Sequence, residues 1–425
     1  MEASRSLAAV ATERDLFYND KDSTLRQSIN VEYDTRFVQA FQTLNGGQQV
    51  IVIPPGNGLK HAVAVFKFAA ASLAGLAANP VYALQKSWAY ELISSVSWRV
   101  GGSSQYYYSN TQLLQRNLRS CRTKEQREAI YQLGGNQCIS ALDYAGDQYA
   151  YVPLSFWSSC STDALETPLN TDLLGQQVQL TITLNPIPSI FHLANGGAAA
   201  PGIVPAALDA GYVQLEQLTM VDRGMSLAND IDLNTRTYVQ ALRSFDQQEL
   251  TAEIAAGSAA EKTITFSGIM AGQVRSLQVY LTPLNPVGDA QANTMRFPLP
   301  KSVVAIYAGQ QFAVYRDQSS QMWGLLDGTA PNNVTGNVLV SAGGIWSNAV
   351  ASSSALLSSW VSLPFSQPLG SDYESMIMVN GKQLTNGSIT LQITPPDAAG
   401  YVVHVVPVLV GAVAYSRGSA NILIG

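Results

Sequence analysis

The side chains best suited to proton transfer near neutral pH are three histidines, His61, His192 and His404, widely separated along the chain. None stands in a recognisable catalytic context, so all three are expected to be structural or surface imidazoles. There is no His-Glu-x-x-His, no Gly-x-Ser-x-Gly and no Walker lysine. Pro55-Gly-Asn-Gly-Leu-Lys60 resembles a phosphate loop only superficially, because the spacing is wrong and no Ser or Thr follows the lysine. Asp230-Ile-Asp-Leu-Asn234 has the opening rhythm of a calcium loop. However, Thr235 occupies the position that needs glycine, and Ala241 the position of the bidentate carboxylate. Cys121, Cys138 and Cys160 are odd in number and lack Cys-x-x-Cys spacing, which points to reduced thiols rather than a disulfide framework or a zinc site. Asn333-Val-Thr335 and Asn386-Gly-Ser388 are formal glycosylation sequons, expected to be ordinary turns outside a secretory compartment. The expected set of catalytic, cofactor-binding and metal-ligating residues is therefore empty: no enzyme, no cofactor, no metal.

Composition gives the first positive clue. The 425 residues are 47% hydrophobic but only 13% charged, against roughly 25% charged in ordinary soluble domains. A chain so poor in charge must hide much of its surface, most simply in subunit contacts. The length calls for two or three domains. A net charge of −6 disfavours non-specific binding to nucleic acid. The terminal arm (1–24) is no basic tail either, since Arg5, Arg14 and Lys21 are outnumbered by Glu2, Glu13, Asp15, Asp20 and Asp22. Leu7 to Ala11 is too short for a signal-peptide core, so synthesis in the cytosol is expected. The apolar run Ala62 to Leu84 is interrupted by Lys67, Ser72, Asn79 and Pro80 and opens with strand-forming residues, so it predicts a strand rather than a membrane span. Val402 to Ala414, with Pro407 and Gly411, predicts buried strands.

Stepping along the chain, alternation and β-branched runs predict strands at Ile29–Tyr33, Arg36–Phe41, Gln49–Ile53, Ala62–Phe68, Tyr90–Val100 and Gln105–Tyr108. A helix follows over roughly Thr111 to Gln132, with Leu113, Leu114, Leu118 and Ile130 on its apolar side and the charges from Arg119 to Glu128 on a solvated face. Residues 191–208, rich in Pro, Gly and Ala, predict a linker between a first domain (25–190) and a second (209–425) opened by the strand Gly211–Leu218. Further strands are predicted at Lys262–Phe266, Val274–Leu281, Val303–Tyr307, Phe312–Tyr315, Glu374–Asn380, Ser388–Thr394 and Tyr401–Tyr415, with a helix-like stretch at Ser319–Leu326.

Two strand-like blocks occur twice. Val361-Ser-Leu-Pro-Phe365 repeats the frame of Val152-Pro-Leu-Ser-Phe156 at an offset of 209 (361 − 152). Leu391-Gln-Ile-Thr394 repeats Leu180-Thr-Ile-Thr183 at 211 (391 − 180), and the hairpin glycines Gly102 and Gly309 are 207 apart (309 − 102). Similar offsets near half the chain length indicate one β-module written twice. Each half has about eight short strands, the strand count of a jelly roll. The expected fold is all-β: two tandem eight-stranded jelly rolls with short helices in the inter-strand excursions. Phe156 and Phe365 are expected at equivalent core positions.

The blocks Leu92–Gly102, Pro153-Leu-Ser-Phe-Trp157, Thr167-Pro-Leu-Asn170 and Gln177–Leu184, in this order, resemble the double jelly-roll major capsid proteins of icosahedral double-stranded DNA viruses. That family spans adenovirus hexon, tailless membrane-containing phages, nucleocytoplasmic large DNA viruses and virophages. The resemblance implies a structural capsid protein forming homotrimers of pseudo-hexagonal outline, with excursions around 109–147, 222–261 and 316–357 forming outer turrets and trimer contacts. It implies as partners neighbouring capsomers, penton and minor capsid proteins and, beneath the shell, an internal membrane, with no sequence-specific nucleic-acid binding and a location in the virion. Low charge suits large obligate interfaces. The alternatives are a minor capsid or vertex protein of such a virus, a single-shell RNA-virus coat protein (which the acidic arm and the duplication disfavour), and a carbohydrate-binding or carbohydrate-cleaving β-sandwich. The last needs a cleft of paired carboxylates beside exposed aromatics, and acids are sparse around Trp98, Trp157, Trp323, Trp346 and Trp360.

Overall fold

The computed structural model describes residues 31–54, 58–101, 106–121, 124–156, 177–193, 198–220, 238–269, 272–284, 295, 297–315, 360–364, 382–384, 387–416 and 419–424. The first half begins with β1 (Val31–Ala40), β2 (Gly47–Ile53), β3 (Gly58–Phe68), helix α1 (Ala74–Ala78), β4 (Tyr82–Leu84) and α2 (Trp88–Leu92). It continues through β5 (Ile93–Val100), β6 (Tyr106–Ser109), α3 (Asn110–Arg119), α4 (Lys124–Leu133), β7 (Gln148–Pro153), β8 (Val178–Leu184), β9 (Phe191–Leu193) and β10 (Ala210–Met220). The second half runs β11 (Tyr238–Asp246), β12 (Leu250–Ile254), β13 (Lys262–Ser267), β14 (Gly272–Pro283), β15 (Ser302–Tyr307) and β16 (Gln310–Tyr315). It ends with β17 (Val361–Pro364), β18 (Lys382–Leu384), β19 (Ser388–Thr394), β20 (Tyr401–Ser416) and β21 (Ser419–Ile424).

Both halves have the same plan. In the first, the antiparallel sheets are β1-β10-β3-β7 and β2-β8-β5-β6; in the second, β12, β20, β14 and β17 pair in that order and β13-β19-β15-β16 is its companion. Taking the eight recurring strands of each half in chain order, the sheets read 1-8-3-6 and 2-7-4-5 in both. This is jelly-roll topology, present twice. β11, β18 and β21 extend the larger sheet of the second half, and β4 and β9 form a small ribbon in the first. The strands that echoed one another in sequence hold matching places: β7 with β17, β8 with β19, and hairpin β5-β6 with β15-β16.

Alternation produces this sandwich. In β8 every second residue, Val178, Leu180, Ile182 and Leu184, is buried, and β19 buries Ile389, Leu391 and Ile393 on the same rhythm. The repeated block locks onto the first core through Trp98, whose Nε1–H donates to the Ser155 carbonyl at 2.9 Å while its ring lies edge-on to Phe156 at 5.4 Å. Phe156 is buried as expected; Phe365 lies outside the described residues, as do the 1–24 arm, Asp230–Asn234, Ser319–Leu326, Glu374–Asn380 and both sequon asparagines.

Several elements depart from the sequence reading. β10, expected to open the second roll at residue 209, is hydrogen-bonded between β1 and β3 of the first sheet. Gly211 fits there because a Cβ would stand 2.5 Å from the Phe41 ring. The Pro/Gly-rich segment before it imitates a domain linker, but it is the return path of the roll's last strand. The excursion read at 222–261 contains β11 and β12, which pair with β20. Tyr90 belongs to α2 rather than to a strand, and the long helix is two helices, α3 and α4. Two of the charges read as part of a solvated face, Arg119 at the end of α3 and Arg127 in α4, are buried.

Candidate functional site

Among the described residues, the densest polar chemistry is a buried seam where α3 of the first half meets the β11–β12 corner and the large sheet of the second. Ser109 caps α3 by accepting from the Gln112 N–H at 3.1 Å. Leu113, Leu114 and Leu118 bury the apolar side of the helix. Gln112, Arg116 and Arg119, spaced four and three apart, share a stripe along the helix and all reach the 246–249 corner.

Asp246 is the hub of this seam. Its carboxylate lies 3.0 Å from Arg116 Nη1 and accepts from Arg119 Nη2 at 2.6 Å through Oδ1, with a second contact through Oδ2. Arg116 also donates to the Phe156 carbonyl at 3.2 Å and lies over the Tyr108 ring at 5.0 Å, tying the seam to the first core. Burial alone would raise the Asp246 pKa, but Arg119 and Arg116 outweigh it and hold the carboxyl below its usual range.

Gln112 completes the corner. Its Nε2 donates to the Gln247 carbonyl at 2.8 Å and its Oε1 accepts from the Glu249 N–H at 3.1 Å, serving backbone groups where the chain breaks between β11 and β12. Glu249 then accepts from the Tyr280 hydroxyl and lies 3.1 Å from His404 Nδ1, whose Nε2 meets the Thr282 hydroxyl at 2.8 Å. The imidazole stacks on the Tyr280 ring at 4.6 Å with 2° between planes. Thr111 of α3 stands 3.4 Å from both Tyr280 Oη and Glu249 Oε2. Burial pushes the Glu249 carboxyl upward, and the bonds and charge from His404, with those from Ser109 and Tyr280, bring it below its usual range. Burial and the adjacent Glu249 push the Tyr280 phenol well above its ordinary value, so it stays a donor.

The three histidines sit in three different sheets. His61 on β3 is part-exposed, 3.9 Å from Glu216; His192 on β9 meets Glu91 at 2.8 Å; His404 belongs to the seam. Among the described residues no three His, Cys, Asp or Glu side chains are grouped to hold a metal. A shallow polar depression of about 380 Å³ is lined by Lys86, Gln132, Asn136, Gln137, Cys138, Asp143 and Gln148. The Cys138 thiol beside it is pushed up to about 12, chiefly by burial, so it is a poor nucleophile. Cys121 and Cys138 are both free thiols. Among the described residues no helix is long and apolar enough to cross a membrane. The acids and bases of the seam are buried, and their arrangement couples the two halves.

Sequence reasoning did not find the seam, because Arg119 and Asp246 are 127 residues apart. The one legible signal was three polar residues at helical spacing within a helix otherwise rich in leucine.

No protein-family model and no curated protein sequence matches the chain. Solved structures do match, at low identity and nearly full length. The PBCV-1 virus capsid protein superposes with a TM-score of 0.58 at 13% identity, covering 93% of this chain and 98% of that one. The mavirus major capsid protein gives 0.53 at 11% identity, covering 93% and 91%. The Faustovirus major capsid protein gives 0.53 at 10% identity over 100% of this chain and 98% of that one. The chain is thus similar in fold, end to end, to double jelly-roll capsid proteins.

Proposed function

We propose that this chain is a structural, non-enzymatic capsid protein, the major building block of an icosahedral viral shell, and that it assembles as a homotrimer of pseudo-hexagonal outline. The observation that carries the reading is the strand-for-strand duplication of a complete jelly roll, and solved capsid proteins superpose on this chain over nearly their whole length. Since a fold alone does not dictate function, the chemistry matters too: the buried cluster of Arg116, Arg119 and Asp246 joins the two rolls, and the charge content of 13% suits a protein whose surface is largely buried by neighbours. Two rolls per chain and three chains supply six similar walls, the unit that tiles a hexagonal net. We place neighbouring capsomers among its partners and the virion as its location. A minor capsid or vertex role fits the duplication less well. The carbohydrate-binding alternative finds no support in Trp98 and Trp360, which are buried rather than exposed.

Mass photometry of the purified protein should give a mass three times 45.5 kDa, and negative-stain images should show hexagonal particles. A stable monomer with hydrolase activity would overturn the reading.

A further inference from the structure

Buried charge is concentrated at the joint between the halves. Among the described residues the charged or imidazole side chains that are buried are Arg116, Arg119, Arg127, Asp246 and His404. All but Arg127 belong to the seam, and Arg127 donates to the Leu118 carbonyl of α3 at 3.1 Å. Glu249, with a side chain only 10% exposed, adds a second carboxylate to the seam. Glu91, by contrast, pairs with His192 inside the first half and holds nothing across the joint. The sandwich interiors are built differently: β8 and β19 face them with valine, leucine and isoleucine on alternate positions.

Facing Asp246 are Arg116 and Arg119 of α3, with Tyr280 of β14 near enough to feel its charge. Facing Glu249 are Tyr280, His404 of β20 and the hydroxyls of Ser109 and Thr111 at the start of α3. Two guanidiniums thus meet two carboxylates, and the seam is balanced while both acids are ionised. These partners hold the two carboxyls below their ordinary values of 3.8 and 4.5, to which contact with water would return them. An opened seam therefore takes up two protons that the closed seam refuses, so falling pH favours opening. Arg116 and Arg119 cannot shed their charge, and in a closed seam with neutral acids they would stay covered without counter-charges. The backbone ladders and apolar side chains of the rolls do not titrate. A further bond between the halves, from the Tyr131 hydroxyl to the Met295 carbonyl at 3.0 Å, is neutral and unaffected by acid.

We infer that the seam is an acid-released latch: on acidification α3 withdraws from the β11–β12 corner and the large sheet of the second half, while both jelly rolls keep their sheets. The device is conformational. It frees one half of the molecule to move against the other without melting either. It belongs to the single chain and does not depend on how copies of the chain assemble.

Hydrogen exchange of the purified full-length protein from pH 3 to 7, read by mass spectrometry and corrected for the intrinsic rate at each pH, tests the latch. Peptides covering 110–119 and 246–250 should lose protection on the acid side of pH 4.5. The loss should approach about 100-fold per pH unit, because two protons are taken up. Peptides covering 178–184 and 388–394, in β8 and β19, should keep their protection. Glu249→Gln removes one of the two titrating groups and should reduce the dependence at the seam to about 10-fold per pH unit. Loss of protection in seam and strands together would mean that acid melts whole rolls, and would overturn the latch. A seam still protected at pH 3, or a Glu249→Gln dependence as steep as that of the wild type, would overturn it as well. The wild-type measurement needs no substitution, so it decides the matter if the variant fails to fold.

Discussion

At the scale of single residues, Asp246 carries the most consequence. Its side chain is fully buried, and its two arginine partners are 1% and 9% exposed at the side chain. A buried ion pair of this kind adds little over an apolar replacement, but removing one partner strands the others without solvent. Asp246→Ala should cost about 3–5 kcal/mol in urea unfolding, where an exposed pair such as Arg36–Glu216 would give at most about 1. The pH dependence follows from the depressed carboxyl. The unfolded chain takes up a proton more readily than the folded one, so this contribution is whole above the ordinary carboxyl value of 3.8 and is lost as pH falls below it. Glu249, also depressed, acts in the same direction from its ordinary value of 4.5. The urea midpoint should therefore fall steeply on the acid side of pH 4.5, and Asp246→Asn should be less stable at neutral pH with a shallower acid limb. Midpoints measured from pH 3 to 7 check both; an equally steep limb in the variant would show that Asp246 is not the group titrating.

At the scale of elements, α3 shows how far context overrides local reading. Its leucines predicted a helix with one buried side, but every position from Thr111 to Arg119 is buried, because the second half covers the side that a lone domain would leave wet. Gln112 gives that burial its specificity by serving both a carbonyl and an N–H at the β11–β12 break. Gln112→Ala leaves those backbone groups without the partners that replaced water, at about 1–3 kcal/mol. Amide exchange at Glu249 should accelerate while exchange within β8 stays slow. Uniform acceleration would mean that the substitution loosened the whole fold and not this seam. The strands are a different case. β8 and β19 were legible to within a residue, because alternation on a half-buried ladder is a local property. β10 was legible as a strand but not as to its sheet, since the residues it pairs with in β1 and β3 are at least 143 positions earlier (210 − 67).

At the scale of the whole molecule, duplication with divergence organises the chain. The rolls share topology strand for strand, yet their large sheets differ in surroundings: Tyr280 and His404 of the second are buried and meet Glu249 and, through Tyr280, Thr111 of α3, while Val38, Tyr149 and Tyr151 of the first are exposed.

What the sequence determined by itself was set by local physics. Alternation specified most of the strands, the offset echoes at Val152/Val361 and Leu180/Leu391 specified two copies of one module, and low charge pointed to a protein buried by neighbours. Only the tertiary structure decided that β10 closes the first roll, that β11 and β12 are sheet strands, and that Arg116, Arg119 and Asp246 meet under cover. Those outcomes depend on which distant segments pair and which surfaces lose water. A periodicity of two or 3.6 residues records which side of an element is buried, but not the identity of what buries it.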